Sequence, residues 1–388
     1  VVVLILLLFI YYFYFFLDVI KNYNKGLTNM ATQQEKLESD LGIEAPSISI
    51  CLSPKRKLEK VQEMNLTGSF FFLQSGSYEH LDNNLIMKDI MDQTSFKLGE
   101  DFDIEFGEFW VSNSSVSMKS LKLGKQPFLG ANGGSFIDVK EYFTMFSGKC
   151  YVLTSDIYVS AGVPLILSIV NNDKRHLEHV KLSIISENDY LGNVNGVWNS
   201  LNPLEVRADF DTGGTSIDLK ESKTNLISEC GQDSFFYCNS QTVMQFKKSN
   251  ADQCGKCLPV LTHAYFDILN ETLLPFCDNL KDEKCNIDLL TVGVNQALTE
   301  CKIQCKITEY TAKTSKITWE VNQHGNRSAD VWIFHSSASR TITEEYLIYD
   351  EIGMIGNVGG SLGLFLGFSF FGAFSDCLDF LRNRNLCK

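Results

Sequence analysis

Apolar residues gather at both ends of this 388-residue chain, and that placement limits its fold more than any other feature. Val1–Leu17 (VVVLILLLFIYYFYFFL) carries no charge and is closed by Asp18 and Lys21. Ile352–Ser375 is a second uncharged stretch, bounded by Glu351 and Asp376. At 1.5 Å per helical residue, the second reaches about 36 Å, more than the roughly 30 Å hydrocarbon layer of a bilayer. The first is shorter, and because the chain opens without Met it reads as a piece that begins inside a span. A signal peptide would need a basic leader and a small-residue cleavage site, whereas this run ends in bulky aromatics. A buried core helix is the other reading of the second stretch, and its length argues against that. Tyr11, Tyr12 and Tyr14 suit a membrane–water interface.

If both stretches span, the segment between them lies on one side and both termini on the other. Asn-x-Ser/Thr sequons at Asn65, Asn113, Asn270 and Asn326 fall in that segment, as do ten of the 12 Cys. Oxidised cysteines and glycans belong outside the cell. Arg382, Arg384 and Lys388 follow the second stretch, as a cytoplasmic flank should. The expected boundaries are a first transmembrane helix over residues 1–20, an extracellular domain over 21–350, a second transmembrane helix over 351–376 and a cytoplasmic tail over 377–388. A balance of 34 Lys and Arg against 47 Asp and Glu, near −13 net, argues against nucleic acid as a partner. GxxxxGK[ST], HExxH and GxSxG are all absent, so the common nucleotide-binding and hydrolase signatures are missing and no enzyme is expected.

Within the exterior segment, Ser47–Ser53, Ser69–Gln74, Tyr142–Thr154, Val163–Val170, Val180–Ser186 and Ile307–Val321 are β-branched or aromatic runs that read as strands. Gln33–Leu41 reads as a short helix. Cys51 and Cys150 stand apart, and eight cysteines crowd between Cys230 and Cys305. Cys254-x2-Cys257 followed by Cys301-x3-Cys305 has zinc-like spacing, but an even count outside the cell favours disulfides. Eight cysteines allow 105 pairings, and spacing does not choose among them. His176-x2-His179 lacks the cysteine or acidic neighbours of a metal site, so neither metal nor cofactor is expected. Asp101, Asp103 and Glu105 read as a solvated acidic loop, with an acid sensor as the sharper alternative.

Gly353, Gly356, Gly360, Gly363 and Gly367 fall within a sector of about 80° on a helix of 100° per residue. Small residues on one face let helix backbones approach closely in lipid. Seven Gly between Gly353 and Gly372 also weaken a helix, at about 1 kcal/mol each against Ala, which suits one that opens around a water-filled path.

Gly359-Gly360-Ser361-Leu362-Gly363-Leu364-Phe365-Leu366-Gly367-Phe368-Ser369 resembles the second-span signature of the degenerin / epithelial sodium channel / acid-sensing ion channel superfamily. Ala45-Pro46-x3-Ile50-Cys51 resembles that family's segment after the first span, and Gly148-Lys149-Cys150-Tyr151 its Gly-x-Cys-Tyr strand. Cys301-x3-Cys305-x4-Tyr310-x4-Ser315-x3-Trp319 is similar to the stretch that closes its cysteine-rich thumb. The resemblance implies a membrane α+β protein: two transmembrane helices flanking a large disulfide-rich extracellular domain, with a β-sheet palm and a helical thumb at about 225–305. It also implies a homo- or hetero-trimer with related subunits, in contact with membrane lipid, whose pore passes sodium ions. Gly367, Phe368 and Ser369 correspond to the selectivity filter. Gly356, Asn357, Gly359, Gly360, Gly363, Ser375 and Asp376 correspond to the pore and gate, with amiloride-type cations plugging the outer pore. The family's ladder implies Cys51–Cys150, Cys230–Cys305, Cys238–Cys301, Cys254–Cys285 and Cys257–Cys277. It also joins a Cys-x6-Cys pair whose place here is taken by Ser95 to Phe102, with neither cysteine. Asn357 and Ser375 stand where the family carries acidic residues, Phe368 is larger than the usual filter residue, and no Trp precedes Cys230.

The leading expectation is a voltage-independent plasma-membrane cation channel gated through its exterior. An ATP-gated channel is the other two-span trimer, but the exterior offers only scattered basic pairs such as Lys174-Arg175 for a triphosphate. A two-span surface subunit that does not conduct alone is the third reading.

Overall fold

The computed structural model describes residues 2–26, 28–36, 43–54, 56–66, 86–110, 115–130, 133–144, 148–159, 163–172, 177–185, 204–210, 214–232, 235–260, 274–317, 327–335, 337, 339–347, 351–366, 375 and 379. Two compact units are present. The smaller comprises Val1–Thr32, Asn225–Ser228 and Thr343–Lys388, and the larger Gln33–Thr224 and Glu229–Ile342.

The strands are β1 (Thr28–Lys36), β2 (Ile43–Glu44), β3 (Ser47–Ser53), β4 (Phe102–Trp110), β5 (Ser115–Ser120), β6 (Gly124–Gly130), β7 (Gly133–Thr144) and β8 (Gly148–Ser155). They continue with β9 (Tyr158–Val159), β10 (Leu165–Asn171), β11 (His179–Ile185), β12 (Leu204–Asp209), β13 (Gly214–Asn225), β14 (Lys306–Ile317), β15 (Ser328–Phe334) and β16 (Ser339–Leu347). One sheet runs β1-β16-β13-β15-β10-β4-β5 with β14 also on β13, and a second runs β12-β11-β3-β8-β7-β6. β10 is buried along nearly its whole length because it lies between β15 and β4, Leu167 facing Val331 on one side and Phe106 on the other. β15 alternates buried and half-buried residues with period two.

Both sheets bury one face in a common core. Phe102, Ile104 and Phe106 of β4, Leu165 and Leu167 of β10 and Val331 and Ile333 of β15 cluster with Ile48, Ile50 and Leu52 of β3 and Val180, Leu182 and Ile184 of β11. Each such side chain contributes about 1.5–3 kcal/mol on burial, which makes this layer the main source of stability. A disulfide staples the second sheet where Cys51 of β3 pairs directly with Cys150 of β8, Cα atoms 4.5 Å apart.

The cysteine-rich part of the larger unit is helical, built on α4 (Phe235–Ser249), α5 (Ala251–Cys254) and α6 (Leu280–Glu300), which follow α2 (Leu58–Glu63) and α3 (Met87–Thr94). Asn279 caps α6, its side-chain oxygen accepting from the Asp282 amide at 2.8 Å. Disulfides join Cys230–Cys305, Cys238–Cys301, Cys254–Cys285 and Cys257–Cys277. With Cys51–Cys150, these are the pairs that the family resemblance implies. By chain entropy each closes a loop worth about 3–5 kcal/mol when considered singly.

The absent Cys-x6-Cys bridge has a non-covalent replacement. Tyr151 Oη donates to the Phe96 carbonyl at 3.0 Å and accepts from the Leu98 amide at 3.1 Å. Gly99 donates to the Phe102 carbonyl at 2.8 Å, and the Phe102 ring packs edge-on against Tyr151. Ser95 and Phe102, which stand where the cysteines would, are fully buried. Burial raises the Tyr151 phenol well above its ordinary pKa, so it stays a neutral donor.

Two expectations need correction. Gln33–Lys36 belongs to β1 rather than a helix. Pairing with β16 overrides helix propensity, through contacts such as Thr32 Oγ1 to Thr343 Oγ1 at 3.2 Å and Glu35 to Arg340 at 2.5 Å. Residues 37–41 of that expected helix lie outside the described residues, as does the expected strand Ser69–Gln74. Asp101, Asp103 and Glu105 do not form a solvated loop. Asp103 and Glu105 are on the polar face of β4, and Asp101 is buried against Lys57 at 2.6 Å. Among the described residues no helix is long and apolar enough to cross a membrane. In α1 (Val2–Asn24) the described side chains begin at Ile10, and α7 (Glu351–Leu366), at about 1.5 Å per residue, is about 24 Å long.

Candidate functional site

The glycine-dotted helix α7 lies in the smaller unit, where it runs beside α1. It is helical without interruption through Leu366. Gly356, Gly359, Gly360 and Gly363 share one face at i, i+3, i+4 and i+7, and all four are exposed. A Cβ added at any of them meets no atom within 4 Å. Ile352 and Ile355 stand out from α7 at 80% and 67% exposure. Among the described residues nothing covers this glycine face. Asn357 is helical, and Ser375 is helical and exposed. Gly367, Phe368, Ser369 and Asp376 lie outside the described residues, as do sequons Asn113, Asn270 and Asn326. Asn65 is exposed at the end of α2, in the left-handed region with φ +56°.

A second cluster of the smaller unit was not anticipated from sequence. Glu345 on β16 gathers four donors onto one carboxylate. Its Oε2 accepts from the amides of Ile227 (2.7 Å) and Ser228 (2.9 Å), and its Oε1 accepts from the hydroxyls of Ser228 and Thr28. Those hydrogen bonds, the Ser228 hydroxyl first, pull the carboxyl down to about 2, so it is ionised throughout the physiological range.

The cysteine-rich helices hold a third group. Glu283, one turn into α6, has no exposed surface. One carboxyl oxygen accepts from the Val260 amide at 2.8 Å, and the other has no hydrogen-bond partner among the described residues. Burial raises this acid to about 8, only partly opposed by the Val260 hydrogen bond, so it carries its proton at neutral pH. One turn on, buried Asn286 donates to the carbonyls of Cys254 (2.6 Å) and Asp282 (2.8 Å). Buried Lys247 of α4 donates to the Gly255 carbonyl at 2.7 Å, and its pKa is lowered by burial.

The remaining candidates carry less. His179 is half-buried on β11 with its pKa lowered, first by burial and then by Arg207, and His176 lies outside the described residues. Among the described residues, no three His, Cys, Asp or Glu side chains are grouped to hold a metal ion. An apolar cavity of about 10 Å³ between the sheets, lined by Pro46, Ile48, Phe106, Ile137, Leu153 and Leu165, has room for no more than one water.

Comparison with known proteins bears on the whole chain. The family model described as amiloride-sensitive sodium channel matches residues 2–374. Among solved structures, that of a proton-activated chloride channel is similar over 96% of this chain and 95% of its own, at 7% identity. Its TM-score of 0.32 is too low for a shared fold to follow. A search of curated proteins finds no match.

Proposed function

We propose, from the premise that this chain belongs to the amiloride-sensitive sodium channel family, that it is one subunit of a trimeric, voltage-independent, amiloride-sensitive sodium channel of the plasma membrane. Members of that family are ion channels rather than enzymes, so the work done is passage down a gradient, and no reacting side chain is called for. In this reading residues 1–20 and 351–376 cross the membrane, both termini are cytoplasmic and residues 21–350 lie outside, with glycans at Asn65, Asn113, Asn270 and Asn326.

The observation that supports it best is the bare face of α7. Four glycines at helical spacing with open space beside each leave room for a close helix neighbour. Three copies would bring that face around one axis. There Gly367, Phe368 and Ser369 narrow the path, with backbone carbonyls standing in for part of the sodium hydration shell. Gly356 and Asn357 would lie toward the outer mouth, where loss of an acidic side chain reduces the local concentration of cations.

Voltage clamp of cells carrying the full chain at the surface tests this. The expected result is a sodium current blocked by amiloride and abolished by Ser369→Trp at unchanged surface density. Current and selectivity untouched by that substitution refute the filter assignment. Absence of current from well-delivered wild type turns the reading to a subunit that conducts only with a related partner, and co-expression decides it.

A further inference from the structure

Within the smaller unit, only the four residues Asn225–Ser228 come from the middle of the chain, and the rest comes from its two ends. Two residues after Ser228 the chain reaches Cys230, where the disulfide ladder begins. What holds Asn225–Ser228 in place is concentrated on one side chain. Glu345 Oε2 takes both consecutive amides, Ile227 and Ser228, in the manner of a carboxylate seated in a backbone nest. Its Oε1 takes the Ser228 hydroxyl and also the Thr28 hydroxyl, which opens β1 just after α1. Neighbouring contacts are weaker versions of the same join: Asn225 reaches Glu344 at 3.4 Å, and Asn29 reaches the Tyr346 hydroxyl at 3.2 Å. Glu345 itself lies six residues before α7 begins.

We propose that Glu345 is the positioning residue for gating: its carboxylate clamps Ile227 and Ser228 to the strand ends that adjoin α1 and α7, so that displacement of Asn225–Ser228 is passed to α7. The clamp uses neutral donors from the backbone and from two hydroxyls, and it needs two polar atoms held on one rigid plane at this reach. Shortening the side chain removes it. A glutamine, in contrast, can keep the shape: its carbonyl can accept from the two amides, while its NH2 donates to the two hydroxyls, which reverse their roles.

The inference rests on the channel reading, and the experiment separates the two. Full-length wild type, E345A and E345Q are placed in lipid nanodiscs, and amide exchange is followed in peptides covering 225–229. In parallel, currents are recorded from cells at matched surface density. Loss of the acceptor is expected to speed exchange of the Ile227 and Ser228 amides about tenfold in E345A, with exchange in the β10 and β15 core unchanged. E345Q restores most of the protection. The closed–open balance shifts in E345A and returns toward wild type in E345Q. Unchanged exchange in E345A overturns the clamp, and so does faster exchange spread equally over the whole chain. Exchange that responds while gating does not overturns the role in gating. A wild type that passes no current in any combination of subunits, with the exchange result as expected, sinks the channel reading and leaves the clamp standing.

Discussion

Replacing Glu283 by glutamine should make the cysteine-rich helices more stable at alkaline pH and remove much of their pH dependence. The folded protein holds this carboxyl at about 8 because burial disfavours its anion, whereas in the unfolded chain it titrates near 4.5. Between those values the folded state keeps a proton that the unfolded state has released. Stability is therefore highest on the acid side and falls as pH rises through the window. At about 1.36 kcal/mol for each pH unit between the two, the full loss by pH 8 is about 5 kcal/mol, an upper bound. Glutamine does not ionise, and its carbonyl can still accept from the Val260 amide. Its NH2 takes the place of Oε2, which has no partner among the described residues, and one turn on Oδ1 of Asn286 is an acceptor that lacks a donor among them. Half of the bound is a reasonable net gain, and at roughly 2–4 °C per kcal/mol a rise of about 5–10 °C in Tm follows at pH 8.5. Thermal scans of the full chain under oxidising conditions, at pH 5.5 and 8.5, read this directly. The gap between variant and wild type should open with pH. Parallel curves, or a variant less stable at pH 8.5, refute the reasoning.

Tyr151→Phe strands the Phe96 carbonyl and the Leu98 amide in the core. A loss of about 2–4 kcal/mol is expected, with faster exchange confined at first to residues 95–102; a Tm within a degree of wild type counts against the tyrosine as the stand-in for the missing bridge. Gly293→Ala puts a methyl 2.9 Å from Cδ1 and 3.3 Å from Cβ of Phe246, too near the α4 backbone to be absorbed by ring rotation alone. Overpacking of about 1–3 kcal/mol outweighs the roughly 1 kcal/mol gained in helix propensity, so Tm falls; a rise would mean that α4 and α6 part without cost.

How much the sequence discloses depends on how far away each residue's partners lie. β3 is readable at its true limits, since Ile48, Ile50 and Leu52 recur at every second position between Pro46 and Pro54. Tyr142–Thr154 proves to be the end of β7 and most of β8, because a β-branched run gives no sign of where a chain reverses. β4 carried its signal openly: in Phe102-Asp103-Ile104-Glu105-Phe106 the apolar residues alternate with acids at period two, yet the acids invite reading as a loop. β1 is the opposite case. Its residues are almost all exposed, so no burial pattern marks it, and only hydrogen bonds to β16, some 300 residues on, make it a strand. The cysteine pairs come from family likeness, because no local property of Cys238 selects Cys301.

The same distinction separates the two acids that matter most. Glu283 stands in a stripe with Leu280, Asn286, Leu290, Gly293 and Ala297, all buried on one face of α6. An ionisable residue on the apolar stripe of an amphipathic helix is a legible anomaly, and its raised pKa follows from burial alone. Nothing near Glu345 in the sequence marks it in that way: it follows another glutamate on an edge-like polar strand, and its donors come from 117 and 317 residues away. Its chemistry exists only once three distant segments meet. A carboxylate defined by burial can thus be found by periodicity, while one defined by convergence has to be found in the fold. In the gating role proposed for Glu345, it is a residue of the second kind that carries the coupling.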